Sequence, residues 1–206
     1  MQAITDLIMY FHKGGLVMWP LLTCSITVIA IAIERFIYYK GADSGAAFAA
    51  SYCATVRGRD IAAATELARK ADGECAQLLA DAVENSGSKE ELSAFLESRA
   101  GIFMATLRDK LDYLGIIVTM SPLLGLLGTI VGMIGAFSIF NVEAGAPLAI
   151  TGGIGEALIA TATGLCVAIM SLCAHSYFAH RMDNMITDLE QCCSALLEAK
   201  TRSTRS

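Results

Sequence analysis

One ionisable side chain stands inside a long apolar stretch of this 206-residue sequence: Glu156, in GGIGEALIATATGLCVAI. A carboxyl held in hydrocarbon costs several kcal/mol unless it faces an aqueous cavity or a partner, so an intramembrane acid marks function by default. The other polarity nearby comes from hydroxyls: Thr119, Ser121, Thr129 and Ser138 in the preceding apolar stretch, and Thr151, Thr161 and Thr163 around Glu156 itself. A hydroxyl donates or accepts by rotating, which suits it to follow an acid through both protonation states. Plainer roles compete with this one. The carboxyl could simply hydrogen-bond a neighbouring helix, and a helical threonine can bond its own backbone one turn back. Thr163, seven residues after Glu156, shares nearly its helical face, whereas Thr161 points about 140° away at ~100° per residue. One helix thus offers polar groups both to a pore axis and to a neighbouring subunit.

Other chemistries lack their residues. There is no H-E-x-x-H, no G-x-S-x-G, no Walker loop and no G-x-G-x-x-G opening a helix after a strand, so no catalytic residue is assigned and the chain is not read as an enzyme. His12, His175 and His180 share no helical face with acidic ligands, and the seven cysteines show neither a C-x-x-C pair nor a His/Cys ligand spacing. No metal or cofactor is expected; the thiols read as small buried side chains in a reducing compartment. A formal net charge of -5 lacks the basic, clustered footprint of a nucleic-acid partner.

The elements that hold Glu156 and the hydroxyls follow from composition. Of the residues, 55% are hydrophobic and 17% charged, where a soluble domain carries roughly a quarter charged. Charges are absent from 14–33, from 113–142 and, Glu156 apart, from 144–175. Each run reaches the ~20 apolar residues that cross a bilayer. The expected fold is therefore all-α, an integral membrane protein with three transmembrane helices. Its divisions are an interfacial amphipathic helix (1–13, with Ile4, Leu7, Ile8 and Phe11 at helical spacing), transmembrane helices at 14–39, 113–142 and 144–178, a cytoplasmic helical region (40–112), and a cytoplasmic C-terminal helix and tail (179–206). The first run is longer than the apolar core of a signal peptide and reads as a retained anchor.

Lys and Arg set the orientation, because positive residues stay cytoplasmic. The connection 141–147 has none, while the segment from Lys40 to Asp112 carries nine of the fifteen, which places the N-terminus outside and the C-terminus inside. Within that segment Ile61, Ala64, Leu67, Ala68 and Ala71 form one helical stripe and Cys75, Leu78, Leu79, Ala82 and Val83 another. A third runs from Leu92 to Leu114 without a break, predicting one helix over 89–142, roughly 80 Å long at 1.5 Å per residue. Pro122 is a candidate kink. Met182, Met185, Ile186, Leu189, Cys193, Leu196 and Leu197 form a later stripe that needs a partner, with 89–110 the candidate, giving an antiparallel cytoplasmic stalk. The closing TRSTRS reads as disordered.

Small residues crowd the second and third spans: Gly125, Gly128, Gly132 and Gly135 on one, and Gly152, Gly153, Gly155, Ala157, Ala160, Gly164 and Ala168 on the other. Helices associate in lipid through such residues, so the two spans suit close packing, with Gly125, Gly128, Gly132, Gly152, Gly155 and Gly164 as candidate contact points. The first span, rich in Leu and Ile, reads as lipid-facing.

These stretches carry a resemblance. SPLLGLLGTIVGMIGAF at 121–137 and GGIGEALIATATGLCVAI at 152–169 resemble the two signature helices of the MotA/TolQ/ExbB proton-channel family, and GGLVMWPLLTCSITVIAIAIERF at 14–36 resembles its first span in the ExbB-like and TolQ-like branch. The resemblance implies a homopentameric ring in the bacterial inner membrane, with the second and third spans lining a pore and the N-terminus periplasmic. It implies an ExbD/TolR-like single-span partner dimer inside the ring, each copy bringing a membrane aspartate. It also implies a periplasmic partner such as TonB, or the Tol-Pal link in TolQ-like systems. By motif, Thr129 in LLGTIVG and Thr161 in EALIATA match the family's polar threonines, and Glu156 in GIGEAL its intramembrane glutamate. The implied proton pathway is thus Thr129, Glu156 and Thr161, with Thr163 an added hydroxyl where relatives are often aliphatic. Met170 and Ser171 stand where many relatives have proline, so the kink there is in question. A non-conducting structural scaffold is the alternative from another class. A MotA-type chain carries four spans, which favours the ExbB and TolQ branch.

Overall fold

The computed structural model describes residues 11, 14–85, 87–142 and 147–203. Among them the chain is helical throughout, with no strand: α1 (Met18–Ala42), α2 (Ala46–Arg57), α3 (Ile61–Lys70), α4 (Glu74–Glu84), α5 (Lys89–Arg108), α6 (Leu111–Val142) and α7 (Pro147–Ser203). Three helices are long and apolar enough to cross a membrane, as the charge-free runs require. The interfacial helix expected over 1–13 and the end of the connection before α7 lie outside the described residues. The chain forms two compact units, one from Met1–Ile33 with Lys110–Ser176, the other from Glu34–Asp109 with Tyr177–Ser206.

In the first unit α6 and α7 run antiparallel along a seam of small residues. A methyl group on Gly164 would lie 2.5 Å from the Ser121 carbonyl oxygen, one on Gly125 would lie 3.1 Å from the Thr161 Cα, and one on Gly128 would overlap the Ala160 side chain. Further along, Gly132 faces Gly153 and Ala157, and Gly153 faces Ala136. Burial against lipid tails offers helices no hydrophobic gain, so close backbone approach and hydrogen bonds hold such a pair. At the other end of the seam buried Ser171 donates to the Leu114 carbonyl at 2.9 Å. Pro122 sits within α6 without ending it.

The first span has one packed face and one exposed apolar face. Val17, Met18, Leu21, Cys24, Val28 and Ile31 are buried at helical spacing, while Leu22, Ile26, Ile29 and Ile33 are exposed. Leu124 of α6 packs on the Val17, Met18 and Leu21 cluster. One face of α1 therefore belongs to the packed interior, and only the other is free for lipid or for another chain.

The second unit carries the short helices. Asp60 caps α3 by accepting from the Ala63 N–H at 2.8 Å, and Ser88 with Glu91 closes a reciprocal capping box on α5. The sequence reading passed over α2, whose Phe48, Ala49, Tyr52, Cys53 and Val56 are buried at 3–4 spacing. That helix, with the end of α1, covers part of the later apolar stripe: Phe178 packs edge-on to Tyr39, and the Cys192 thiol lies 3.8 Å from both the Cys53 sulfur and the Ala49 carbonyl oxygen. The end of α7 continues through Ser203, where disorder was expected from residue 201. Thr201 bonds the Leu197 carbonyl and Arg202 pairs with Glu198, one turn back each.

The single helix expected over 89–142 is interrupted at Asp109 and Lys110, Lys110 holding a positive φ of 65°. A helix end leaves carbonyls without intrahelical partners. Here α1 supplies them: Arg35 donates to the Thr106 carbonyl at 2.9 Å, and the Tyr39 hydroxyl donates to the Leu107 carbonyl at 2.6 Å. Arg35 is 3% exposed and also holds the Glu34 carboxylate through two bonds of 2.8 and 2.9 Å. An apolar stripe continues across the break without registering it, because periodicity carries no information about who satisfies the backbone.

Candidate functional site

Helix α7 presents two different faces to its neighbours near Glu156. Ala157, Ala160, Thr161 and Gly164 meet α6. Glu156 and Ile159, a turn apart on another face, meet the Gly14–Gly15 turn that precedes α1. Gly15 holds φ at 73°, and its missing side chain leaves the space that the Glu156 carboxyl occupies. The Glu156 side chain is half-buried, and no Lys or Arg among the described residues pairs with it.

The hydroxyls of Thr129, Thr161 and Thr163 are tied to backbone, whereas that of buried Ser121 has no hydrogen-bond partner among the described residues. Thr161 Oγ1 lies 3.1 Å from the Gly125 carbonyl across the seam and 3.2 Å from the Ala157 carbonyl in its own helix, so its single proton serves either. Thr129 donates to the Leu126 carbonyl at 2.6 Å, and Thr163 to the Ile159 carbonyl at 2.8 Å. Each oxygen keeps its lone pairs, so as they stand these hydroxyls offer acceptors to any further partner. To donate, each must rotate off a carbonyl that has other means of satisfaction.

Of the candidate packing glycines, Gly125, Gly128, Gly132 and Gly164 lie in the seam with α7 or α6, while Gly152 and Gly155, like Gly135, face open space within this chain. Gly153 belongs in the seam as well. Gly15, Arg35 and Ser171 also escaped the functional reading. For Gly15 the adjacent glycines at the head of a charge-free run were the available signal; for Ser171 it was a hydroxyl within the apolar run that follows Glu156.

Elsewhere, buried thiols gather in the second unit. Burial pushes Cys75 and Cys193 each up to about 12 and Cys192 upward as well, so all three stay protonated. Among the described residues no group of three or more His, Cys, Asp or Glu side chains converges as metal ligands.

Comparison with known proteins agrees with this geometry. Over 168 residues the chain is 34% identical to a Synechocystis biopolymer transport protein, ExbB-like 1, covering 79% of this chain and 66% of that one. A second Synechocystis relative, ExbB-like 3, is 33% identical over 164 residues, covering 77% and 78% of the two chains. The Tol-Pal system protein TolQ of Pseudomonas aeruginosa is 36% identical over 81 residues, 39% of this chain and 35% of its own. Residues 68–191, which include α6 and the Glu156 segment, match the model of the MotA/TolQ/ExbB proton channel family. On that match, and on the extent of the relatives that share it, the chain belongs to the MotA/TolQ/ExbB proton channel family.

Proposed function

We propose that this chain is the ring-forming subunit of an ExbB-like motor in the bacterial inner membrane, coupling the proton motive force to TonB-dependent transport across the outer membrane. A chain of this family is a channel component and not an enzyme. The observation that carries the reading is Glu156, an acid within an apolar span, half-buried and without a cationic partner among the described residues. A structural scaffold has no use for an acid so placed, whereas a proton path does.

In this reading five copies surround a dimer of single-span partners, N-terminus periplasmic and C-terminus cytoplasmic. The protonated aspartate of a partner donates to Thr129, Thr161 or Thr163. Once ionised, it draws the same hydroxyl proton off the backbone carbonyl. A lining without hydroxyls would trap the acid in its neutral form. The membrane potential supplies ~2.3 kcal/mol per charge per 100 mV, enough to bias this cycle but not to overcome a large burial penalty. The exposed apolar side chains of α6, among them Leu123, Leu127, Ile130 and Ile134, are available to neighbouring copies or to lipid.

The ExbB assignment is favoured by the extent of similarity, three quarters or more of this chain against 39% for the TolQ relative. The TolQ match is the observation that keeps a Tol-Pal role as the second reading. Native mass spectrometry of the complex from mild detergent, paired with uptake assays on E156Q and T129V, tests the proposal. A five-to-two complex that both variants still form, with uptake abolished, is the expected result. Full uptake by E156Q would leave the scaffold reading standing.

A further inference from the structure

We propose that Gly15 is a positioning residue for Glu156, its bare Cα forming one wall of the pocket that fixes the carboxyl. The inference rests on the reading of Glu156 as a group on the proton path.

A side chain on Gly15 would fall on Glu156 Oε1, with the carboxyl carbon at 2.8 Å and Cγ at 3.3 Å. The carboxyl thus fills the volume that any other residue would claim. The backbone adds a second demand, since φ at 73° lies in the left-handed region that strains residues with a Cβ. The turn is held in place from both sides. Gly15 accepts from the Met18 N–H at 3.2 Å, starting α1, and buried Val17, Met18 and Leu21 lock that start against Leu124. Next to it a side chain on Gly14 would come within 3.3 Å of Ile159 Cγ2, a turn from Glu156 on the same face of α7. Backbone covers the carboxyl on the α1 side, so its proton exchanges from the remaining directions only. The arrangement joins the two spans at the acid itself, which gives the otherwise lipid-facing first span a share in the proton path.

The test compares G15A, E156D, the double variant and E156Q in the full chain, in native membranes with its own partners. One readout is the rate at which dicyclohexylcarbodiimide labels residue 156, followed by peptide mass spectrometry; the other is proton-driven uptake. G15A is expected to assemble, to lower uptake about tenfold or more and to change labelling by a similar factor, because a shift of about 1 Å in a reacting group costs that much or more. Aspartate, one methylene shorter, withdraws from the wall, so the double variant recovers the activity of E156D alone. Should G15A fail to assemble, Gly15→Asn replaces it, as asparagine tolerates the left-handed region yet carries a Cβ. Native-like labelling and uptake in G15A or G15N would overturn the proposal, as would a double variant no better than G15A. If E156Q retains uptake, the functional reading falls, while the labelling change still reports on Gly15.

Discussion

The Thr161 hydroxyl reaches the Gly125 carbonyl of α6 at 3.1 Å, a bond that exists because Gly125 has no side chain to hold the two helices apart. Replacing Thr161 with Val should remove it and cost about 0.5–1.5 kcal/mol, the range measured for interhelical bonds in membranes, while Ser should keep most of it. Thermal unfolding in detergent would separate the two, and equal melting of both variants would remove the bond from the account.

Seam glycines and open glycines should respond in opposite ways. At Gly164 a methyl group meets the Ser121 backbone at 2.5 Å, so G164A should destabilise by about 1–3 kcal/mol. At Gly152, with nothing within 4 Å, alanine should be neutral or stabilising by up to about 1 kcal/mol. If G152A instead leaves the melting of the isolated chain intact but breaks up the oligomer, the open face is the contact between copies.

Arg35 should be indispensable to the end of α5. Its loss in R35A strands the Thr106 carbonyl and removes a pair whose Glu34 member is 41% exposed, at a cost of about 1–2 kcal/mol. R35K keeps the charge but not the forked donors and should recover only part. Limited trypsinolysis reads this locally, through faster cleavage after Arg108 and Lys110.

The thiol cluster sets an alkaline limit on the second unit. Cys75 and Cys193 sit at about 12 when folded against an ordinary 9.0, so the unfolded chain loses those protons first as pH rises. Their contribution to stability is complete below that ordinary value and falls away between the two. Maleimide labelling of both residues should stay slow in the native protein at neutral pH and accelerate on denaturation; fast native labelling would contradict their burial.

Glu91 works at the acid end. Its carboxylate accepts from the Ser88 and Gly87 N–H groups at 3.0 Å each, which lowers its pKa below the usual 4.5. That contribution is present above the usual value and disappears as pH falls through the depressed one. Hydrogen exchange at the start of α5 should therefore quicken in acid, and E91A should show the acid rate already at neutral pH.

Glu156, the three spans and the small-residue character of α6 and α7 were legible in the sequence, because the expense of a charge in hydrocarbon and the length of a bilayer do not depend on the rest of the fold. The stripes of α3 and α4 were legible for a related reason: a helix that must bury one face writes its period into the chain. The same period was present in Phe48, Tyr52 and Val56 of α2 and went unread among alanines.

What the chain could not disclose on its own is which surface covers which. Periodicity ranked Gly152 with Gly164, yet the rotation of α7 against α6 turns Gly153 and Gly164 into the seam and leaves Gly152 and Gly155 open. An unbroken stripe predicted one long helix, but carbonyls capped by Arg35 and Tyr39 stabilise an interruption that no residue at Asp109 or Lys110 announces. The placement of Glu156 over Gly15 belongs to the same class, joining residues 141 positions apart. Local sequence determines how each helix partitions between oil and water, whereas contacts between distant segments are decided by steric fit, which exists only once the helices have packed.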